Sequence, residues 1–313
     1  MKKIFLLALA LILAIGADAK PKQTKELDLR IGTYNIWAHY ARRGHIKKGH
    51  ATDARNWDNS KKAVAELIVK LDCDLMGLQE VTNVCYEDLA QLLKKVGGKK
   101  YGIWWLNTYP EGHKRNVGNA IVYNKKKLKL SKQNIYYFSK TPEVRSSGWD
   151  EKKFIRGALV TEVTHKKTGK SLYFMATHGP LGDVACGHAG RLLIEFDKKY
   201  NTKGLPSIVV GDMNACEGQK NNMFYDNITK YFEDSFYAAE KRCSTLGTYL
   251  SAKEKEANFK NPRIRIDHIY VHSTDKGKIK VKNYEVNRDK LNCGGEMHYP
   301  SDHNPVIVDI TIK

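Results

Sequence analysis

Six of eight strand-length segments of this chain share one feature. Residues 27 to 36 (LDLRIGTYNI), 74 to 79 (DLMGLQ), 118 to 123 (GNAIVY), 158 to 164, 171 to 177 (SLYFMAT), 206 to 211 (PSIVVG), 266 to 272 (IDHIYVH) and 305 to 312 read as β-strands, from alternating or short continuous apolar runs. At or just beyond one end of most of them stands a polar side chain that can bind a metal or move a proton. These are Asn35, Glu80, His178, Asp212 with Asn214, Asp267 with His268, and Asp302 with His303. The carboxyl-terminal stretch YPSDHNPVIVDITIK shows the logic. Val306, Val308 and Ile310 alternate with Ile307, Asp309 and Thr311, so Asp302 and His303 fall where a loop becomes a half-buried strand.

Amphipathic helices separate some of the strands. Val64, Leu67, Ile68 and Leu71 lie at the spacing of a buried stripe, which predicts a helix over 60–71 with Asp58 or Ser60 as its cap. Residues 87–95 and 191–199 read the same way. Many strands with a few helices between them predict an α+β domain, two sheets packed on each other with helices outside. No linker, repeat or low-complexity tract interrupts residues 20–313, so a single domain is expected.

The polar strand ends narrow the chemistry. Carboxylates and amides (Asn35, Glu80, Asp212, Asn214, Asp302) are hard oxygen donors, suited to Mg²⁺, Ca²⁺ or Mn²⁺ rather than zinc. Histidines in the same set can handle protons and developing negative charge. His-Glu-x-x-His and Gly-x-Ser-x-Gly are both absent, which excludes the common zinc-protease and serine-hydrolase arrangements and leaves metal-assisted phosphoester hydrolysis. Singly, each residue also has a plain structural use. Glu80 could end a strand as a surface charge, Asp212 and Asn214 could form a turn, and His178 could be a packed core histidine; their joint order carries the weight.

Residues 1–19 (MKKIFLLALALILAIGADA) combine two early lysines, an apolar run and a small-x-small triplet, the layout of a signal peptide cut after Ala19. A secreted or periplasmic monomer without a stable membrane anchor is therefore expected. Export makes the six cysteines, Cys73, Cys85, Cys186, Cys216, Cys243 and Cys293, candidates for disulfides, with Cys216–Cys243 the preferred pair. A formal charge of +19 favours polyanionic partners such as nucleic acid or anionic headgroups.

The motifs TYNI, GLQEV, ATH, GDMNA, RIDHIYV and PSDHNPV, in this order, resemble the endonuclease/exonuclease/phosphatase superfamily, of which deoxyribonuclease I is the best-known member. NWDNSKKAVAELIVKLDCDLMGLQEV and SGWDEKKFIRGAL resemble its secreted bacterial branch. The resemblance spans almost all of residues 20–313. It implies a four-layer α/β/β/α sandwich with two mixed β-sheets face to face. It also implies a divalent metal, Mg²⁺ with Ca²⁺ or Mn²⁺ as alternatives, held by Glu80 with Asn35 and with Asp302 beside it. Asp212 and Asn214 would position water and phosphate oxygens, His303 oriented by Asp267 would transfer a proton, and His178 would stabilise the pentacoordinate phosphate. Arg156 would face the substrate.

Members of such a fold act on different phosphoesters, so substrate has to be argued from local residues. Residues 38–58 (AHYARRGHIKKGHATDARNWD) read as a loop bordering the site. Arg42 and Arg43 interleave there with aromatic residues, which suits a phosphate backbone with stackable bases. A nuclease acting on DNA or RNA is the expectation. A sphingomyelinase-like or other phosphoester hydrolase, or a non-catalytic polyanion-binding protein, are the alternatives.

Overall fold

The structure, a computed structural model, describes residues 26–113, 116–218 and 222–313; the expected signal peptide lies outside the described residues. In chain order the strands are β1 (Leu27–Asn35), β2 (Leu75–Thr82), β3 (Tyr101–Asn107), β4 (Val117–Asn124), β5 (Leu128–Tyr137), β6 (Gly157–His165), β7 (Ser171–His178), β8 (Ser207–Asp212), β9 (Glu233–Asp234), β10 (Lys241–Arg242), β11 (Asp267–His272), β12 (Ile279–Val286), β13 (Leu291–Cys293), β14 (Glu296–His298) and β15 (Val306–Ile312). The α-helices are α1 (His39–Lys47), α2 (Trp57–Leu71), α3 (Asn83–Gly97), α4 (Asp183–Tyr200), α5 (Met223–Ile228) and α6 (Ser235–Ala238).

Two mixed sheets result. One has seven strands in the order β10-β12-β15-β1-β2-β4-β3, the other six in the order β5-β6-β7-β8-β11-β9, and β13 and β14 form a separate hairpin. Strand alternation sorts the apolar side chains into layers. Ile31, Leu75, Ile121, Phe174, Val210, Ile269 and Val308 meet between the sheets. On the outer face of the seven-stranded sheet, Met76, Leu78 and Val122 pack against the stripe of α2 (Val64, Leu67, Ile68, Leu71) and against Leu89 and Leu93 of α3. On the other outer face Tyr173, Met175, Val209 and Tyr270 receive Leu193 and Phe196 of α4. The expected four-layer α/β/β/α sandwich is therefore the architecture.

Several expectations need correction. Residues 38–58 are not a loop but α1, a 3-10 turn (Asp53–Arg55) and the start of α2. Local pattern gives no hint of α1, because the buried member of that helix is the charged Arg42 rather than an apolar stripe. α4 starts at Asp183, well before residue 191, and Cys186 lies inside it. All six cysteines are free, so the expected disulfides, including Cys216–Cys243, are not formed. The Cys216 Sγ donates to the Arg263 carbonyl at 2.9 Å, whereas the Cys243 Sγ sits by the Thr245 carbonyl at 3.6 Å and the Val286 amide at 3.3 Å. No helix among the described residues is long and apolar enough to cross a membrane.

Candidate active site

Register, more than sequence distance, assembles the polar strand ends. β7 and β8 run parallel with His178 opposite Asp212, and β11 runs antiparallel to β8 with Asp267 opposite Asp212. His178, Asp212 and Asp267 thus form one row across three neighbouring strands. In the facing sheet, β1 pairs with β2 so that Asn35 lies opposite Gln79, while β15 pairs with β1 just beyond the turn carrying Asp302 and His303. The two rows meet: the Asn35 Nδ2 donates to Asp212 Oδ2 at 2.9 Å and to Glu80 Oε1 at 3.4 Å.

Glu80 reaches this meeting point through a backbone irregularity. A regular pleat would send it to the helix side with Leu78. A bulge between Leu78 and Val81 interrupts the pairing with β4, and Glu80 itself takes a left-handed conformation with φ of 60°. Its carboxylate then accepts from the Ala38 amide at 2.9 Å. Asn214 is left-handed as well, with φ of 51°; its amide donates to Asp212 Oδ1 at 2.9 Å and its Nδ2 to the Gly179 carbonyl at 3.0 Å. That approach requires glycine at 179, since a Cβ there would stand 2.3 Å from the Met213 carbonyl.

The titratable groups are linked. His303 Nδ1 is 2.8 Å from Asp267 Oδ2, and its Nε2 is 3.6 Å from Asp212 Oδ2. His178 Nε2 approaches the same Asp212 oxygen at 3.3 Å. Burial works against charge on His303, but the Asp267 and Asp212 carboxylates outweigh it and hold the imidazole protonated well above its ordinary range. Burial pushes Asp267 up, opposed first by the charge of His303 and then by their shared hydrogen bond. Asp212 is buried too, yet His178 and His303 together keep its carboxylate ionised well below the usual range.

Glu80 and Asp302 differ in an informative way. Burial opposes ionisation of Glu80, and His178, the Ala38 amide and Arg156 still bring it below its ordinary value. Asp302 is pushed up to about 6, by burial first and, against the relief from His303, by the negative charge of Glu80. A half-buried and a buried carboxyl group that repel each other are the donors a hard divalent cation would satisfy, while Asn35 turns its Nδ2 to Glu80 and Asp212 and its Oδ1 to the Trp37 amide at 3.0 Å. Asp212, Asp267 and His303 also place three ligand atoms within 4.8 Å of one another. Those atoms are already engaged with each other as a proton-holding relay, so the residues fit a metal better at Glu80 and Asp302, with Asn35 beside them.

A pocket of about 380 Å³ opens over these groups. Glu80, His178, Asp212, Asn214, Asp302 and His303 form its polar floor. Its walls include Tyr40, Phe154, Tyr249 and Leu181. Arg156 also lines it, with its guanidinium 4.7 Å from the Phe154 ring centre and its buried Nε unpartnered among the described residues. Of the arginines expected to contact substrate, Arg156 alone borders the pocket. Arg43 points to solvent from α1, and Arg42 is fully buried with its donors turned to carbonyl groups, so its expected substrate contact is corrected. His268, on the opposite face of β11 from Asp267, is buried against Arg265 and the Ala215 carbonyl and does not reach the pocket.

Tyr249, like Leu181, is a wall residue that sequence reading missed. Its ring lies 4.8 Å from His303, and it comes from residues 243–263, a stretch with no periodic pattern to flag it.

A two-sheet sandwich whose strand ends converge on paired carboxylates and histidines defines the deoxyribonuclease-I-like class of proteins. The chain belongs to the Endonuclease/Exonuclease/phosphatase family, whose sequence profile matches residues 32–303. In fold it is similar to the endonuclease/exonuclease/phosphatase from Bacteroides vulgatus (23% identity, 92% of this chain and 100% of that one, TM-score 0.74). It is also similar to the mannosyl-6-phosphatase of Bacteroides thetaiotaomicron (24% identity, 90% and 99% covered, TM-score 0.75). In sequence it is similar to a probable CCR4-Not complex 3'-5'-exoribonuclease subunit Ccr4 of Vairimorpha ceranae, at 24% identity over 90% of this chain, which spans 63% of that relative's length.

Proposed function

We propose that this protein is a divalent-metal-dependent phosphoester hydrolase acting on nucleic-acid phosphodiesters. The observation that carries the reading is the pocket floor: Glu80 and Asp302 placed for a cation, the Asp212–His303–Asp267 relay beside them, and an unsatisfied Arg156 donor above. When bound, the metal supplies charge neutralisation at the scissile phosphate.

The chain's own residues do the rest. Asp212, ionised, together with Asn214 orients the attacking water and accepts its hydrogen bond. His303, kept protonated by Asp267, holds a proton at Nε2 beside Asp212 for transfer to or from the oxygens of the reaction. His178 and the Arg156 Nε place donors where phosphate oxygens gain charge, inside a buried pocket where such donors act strongly.

Nucleic acid is favoured by the +19 charge and by aromatic walls at Tyr40, Phe154 and Tyr249 on which a base can stack. The exoribonuclease name carried by a sequence relative points the same way. The pocket volume suits one splayed nucleotide or one terminal phosphate rather than an intact duplex, which also supports a second reading, hydrolysis of small phosphomonoesters such as sugar phosphates. Residues 1–19 support export; a mature amino terminus at Lys20 in a periplasmic fraction would establish it, and an intact Met1 would remove it.

The test is a panel of single-stranded DNA, RNA, plasmid, sphingomyelin, mannose 6-phosphate and an aryl phosphodiester, each with Mg²⁺, Ca²⁺ or chelator, beside His303→Ala. Metal-dependent cleavage of single strands that is lost in the variant is expected. Turnover of the sugar phosphate alone would replace the substrate, and no turnover on any substrate would refute the hydrolase reading.

A further inference from the structure

Two arginines outside the reacting groups are among the most deeply buried side chains: Arg42 is 0% exposed and Arg55 1%. An arginine out of water has five N–H donors to satisfy. Arg42 pairs all of them. Its Nε donates to the Trp37 carbonyl (2.8 Å), Nη2 to the carbonyls of Ile36 (2.5 Å) and Pro300 (2.9 Å), and Nη1 to the Arg55 carbonyl (3.0 Å) and Ser60 Oγ (2.7 Å). Arg55 sends Nη1 to the Ala252 carbonyl (2.7 Å) and Nη2 to the Ser301 carbonyl (2.8 Å), with Nε 3.7 Å from Glu254. Both guanidinium groups stack on Trp37, at 4.9 and 4.8 Å from its ring centre.

Five of these seven acceptors share a feature. Ile36 and Trp37 directly follow Asn35, Pro300 and Ser301 directly precede Asp302, and Ala252 lies three positions beyond the pocket wall Tyr249. Trp37 is held left-handed at φ of 61°, a conformation that a tryptophan keeps only when its surroundings impose it. Ser301 closes the circuit: its Oγ donates to the Asn35 carbonyl at 2.7 Å and accepts from the His303 amide at 3.2 Å. Three separate chain segments, carrying Asn35, Tyr249 and the Asp302–His303 pair, are thereby joined through two side chains that touch no reacting group.

We propose that Arg42 and Arg55 are positioning residues, a pair of buried clamps that fixes the end of β1 against the turn before β15 and so sets the geometry between the two halves of the site. Removing either arginine would leave buried carbonyls without donors, so each also contributes to stability, and the positioning role is distinguished by where protection and turnover are lost. A planar fork that bonds carbonyls on two segments at once does what no lysine can, because a lysine ammonium is a point donor without that reach. The kinetic consequence rests on the hydrolase reading; the structural consequence does not.

The test uses Arg42→Lys, Arg55→Lys and Arg55→Met in the full mature chain, with two readouts. In Arg55→Met, hydrogen exchange at residues 300–304 is expected to quicken by on the order of tenfold while β7 and β8 keep wild-type protection. The turnover of correctly folded enzyme should fall by roughly tenfold or more with KM within about threefold, since small misplacements of reacting groups act mainly on kcat. The lysine variants should lie between, and they keep the test available if the methionine variant does not fold. Exchange that quickens equally throughout the fold, or stays unchanged at 300–304, would overturn the clamp. An unaltered kcat per folded molecule would do so as well. If the wild-type protein turns over no substrate, the hydrolase reading fails while the exchange measurement still decides the clamp.

Discussion

Replacing Asp234 by Asn would strand a buried positive charge while leaving the local backbone intact. Asp234 Oδ2 lies 2.8 Å from Arg265 Nη1 and 3.6 Å from His268 Nδ1, and all three side chains are almost fully buried. Asp234 also caps α6 through Oδ1, which accepts from the Phe236 amide at 3.0 Å, a bond an asparagine oxygen can keep. The substitution therefore isolates the charge. Burial alone would raise the Asp234 carboxyl, but His268 and Arg265 together bring it down to about 2 from an ordinary 3.8. A depressed folded-state value stabilises the protein above the unfolded value and is lost as pH falls through the folded one, so the contribution is complete above about pH 5. A shift of this size is worth about 2 kcal/mol, of which about 1 kcal/mol is gone by pH 3. Stranding Arg265 adds to it, since breaking one partner of a buried pair costs about 3–5 kcal/mol in total. Urea unfolding followed by tryptophan fluorescence at pH 7 and pH 3 measures both terms. Asp234→Asn should unfold several kcal/mol more easily at pH 7, and its gap from wild type should narrow by about 1 kcal/mol at pH 3. A gap that does not change with pH, or one below about 1 kcal/mol at pH 7, would refute the ion-pair account.

Three further outcomes are expected. Glu80→Gln should weaken Mn²⁺ binding in titration calorimetry by an order of magnitude or more, because even residues behind a metal ligand alter affinity about 10–100-fold; unchanged binding would move the cation to the Asp212–Asp267–His303 group. Thr82→Ala removes the Oγ1 that accepts from the Cys85 amide at 3.2 Å at the start of α3, and should lower stability by about 1 kcal/mol in the same urea assay; no change would mean that water replaces the cap. Denatured protein prepared without reductant should titrate as six free thiols, and a count of four or fewer would restore a disulfide.

What the sequence made legible was periodicity, and what it concealed was contact. Seven of the eight strand segments fall within one residue of their observed bounds because alternation is a local property of the chain, and the eighth, 74–79, stops three residues short of the end of β2, where the bulge at Glu80 interrupts the pattern. The beginning of α4 escaped because its signals are distant. Its first amides, of Val184 and Ala185, bond the carboxylate of Asp150, a cap more than thirty residues away. Gly190, which looks like a helix breaker, is there because the Phe224 carbonyl at the start of α5 would lie 2.7 Å from any Cβ. α1 was hidden for a related reason, since it is anchored by a charged residue that composition assigns to the surface. The same division runs through the site. Order along the chain nominated Asn35, Glu80, His178, Asp212, Asp267 and His303, because each ends or begins a strand. Their convergence depends on pairings 30 to 270 residues apart, and on a bulge at Glu80 that reverses the facing that alternation alone would give. Arg42 shows the sharpest form of this limit. One arginine in a basic, aromatic stretch is a substrate contact if the backbone leaves it in solvent and a clamp if three carbonyl-bearing segments close around it. Only the packing of β1 against the turn before β15 decides which.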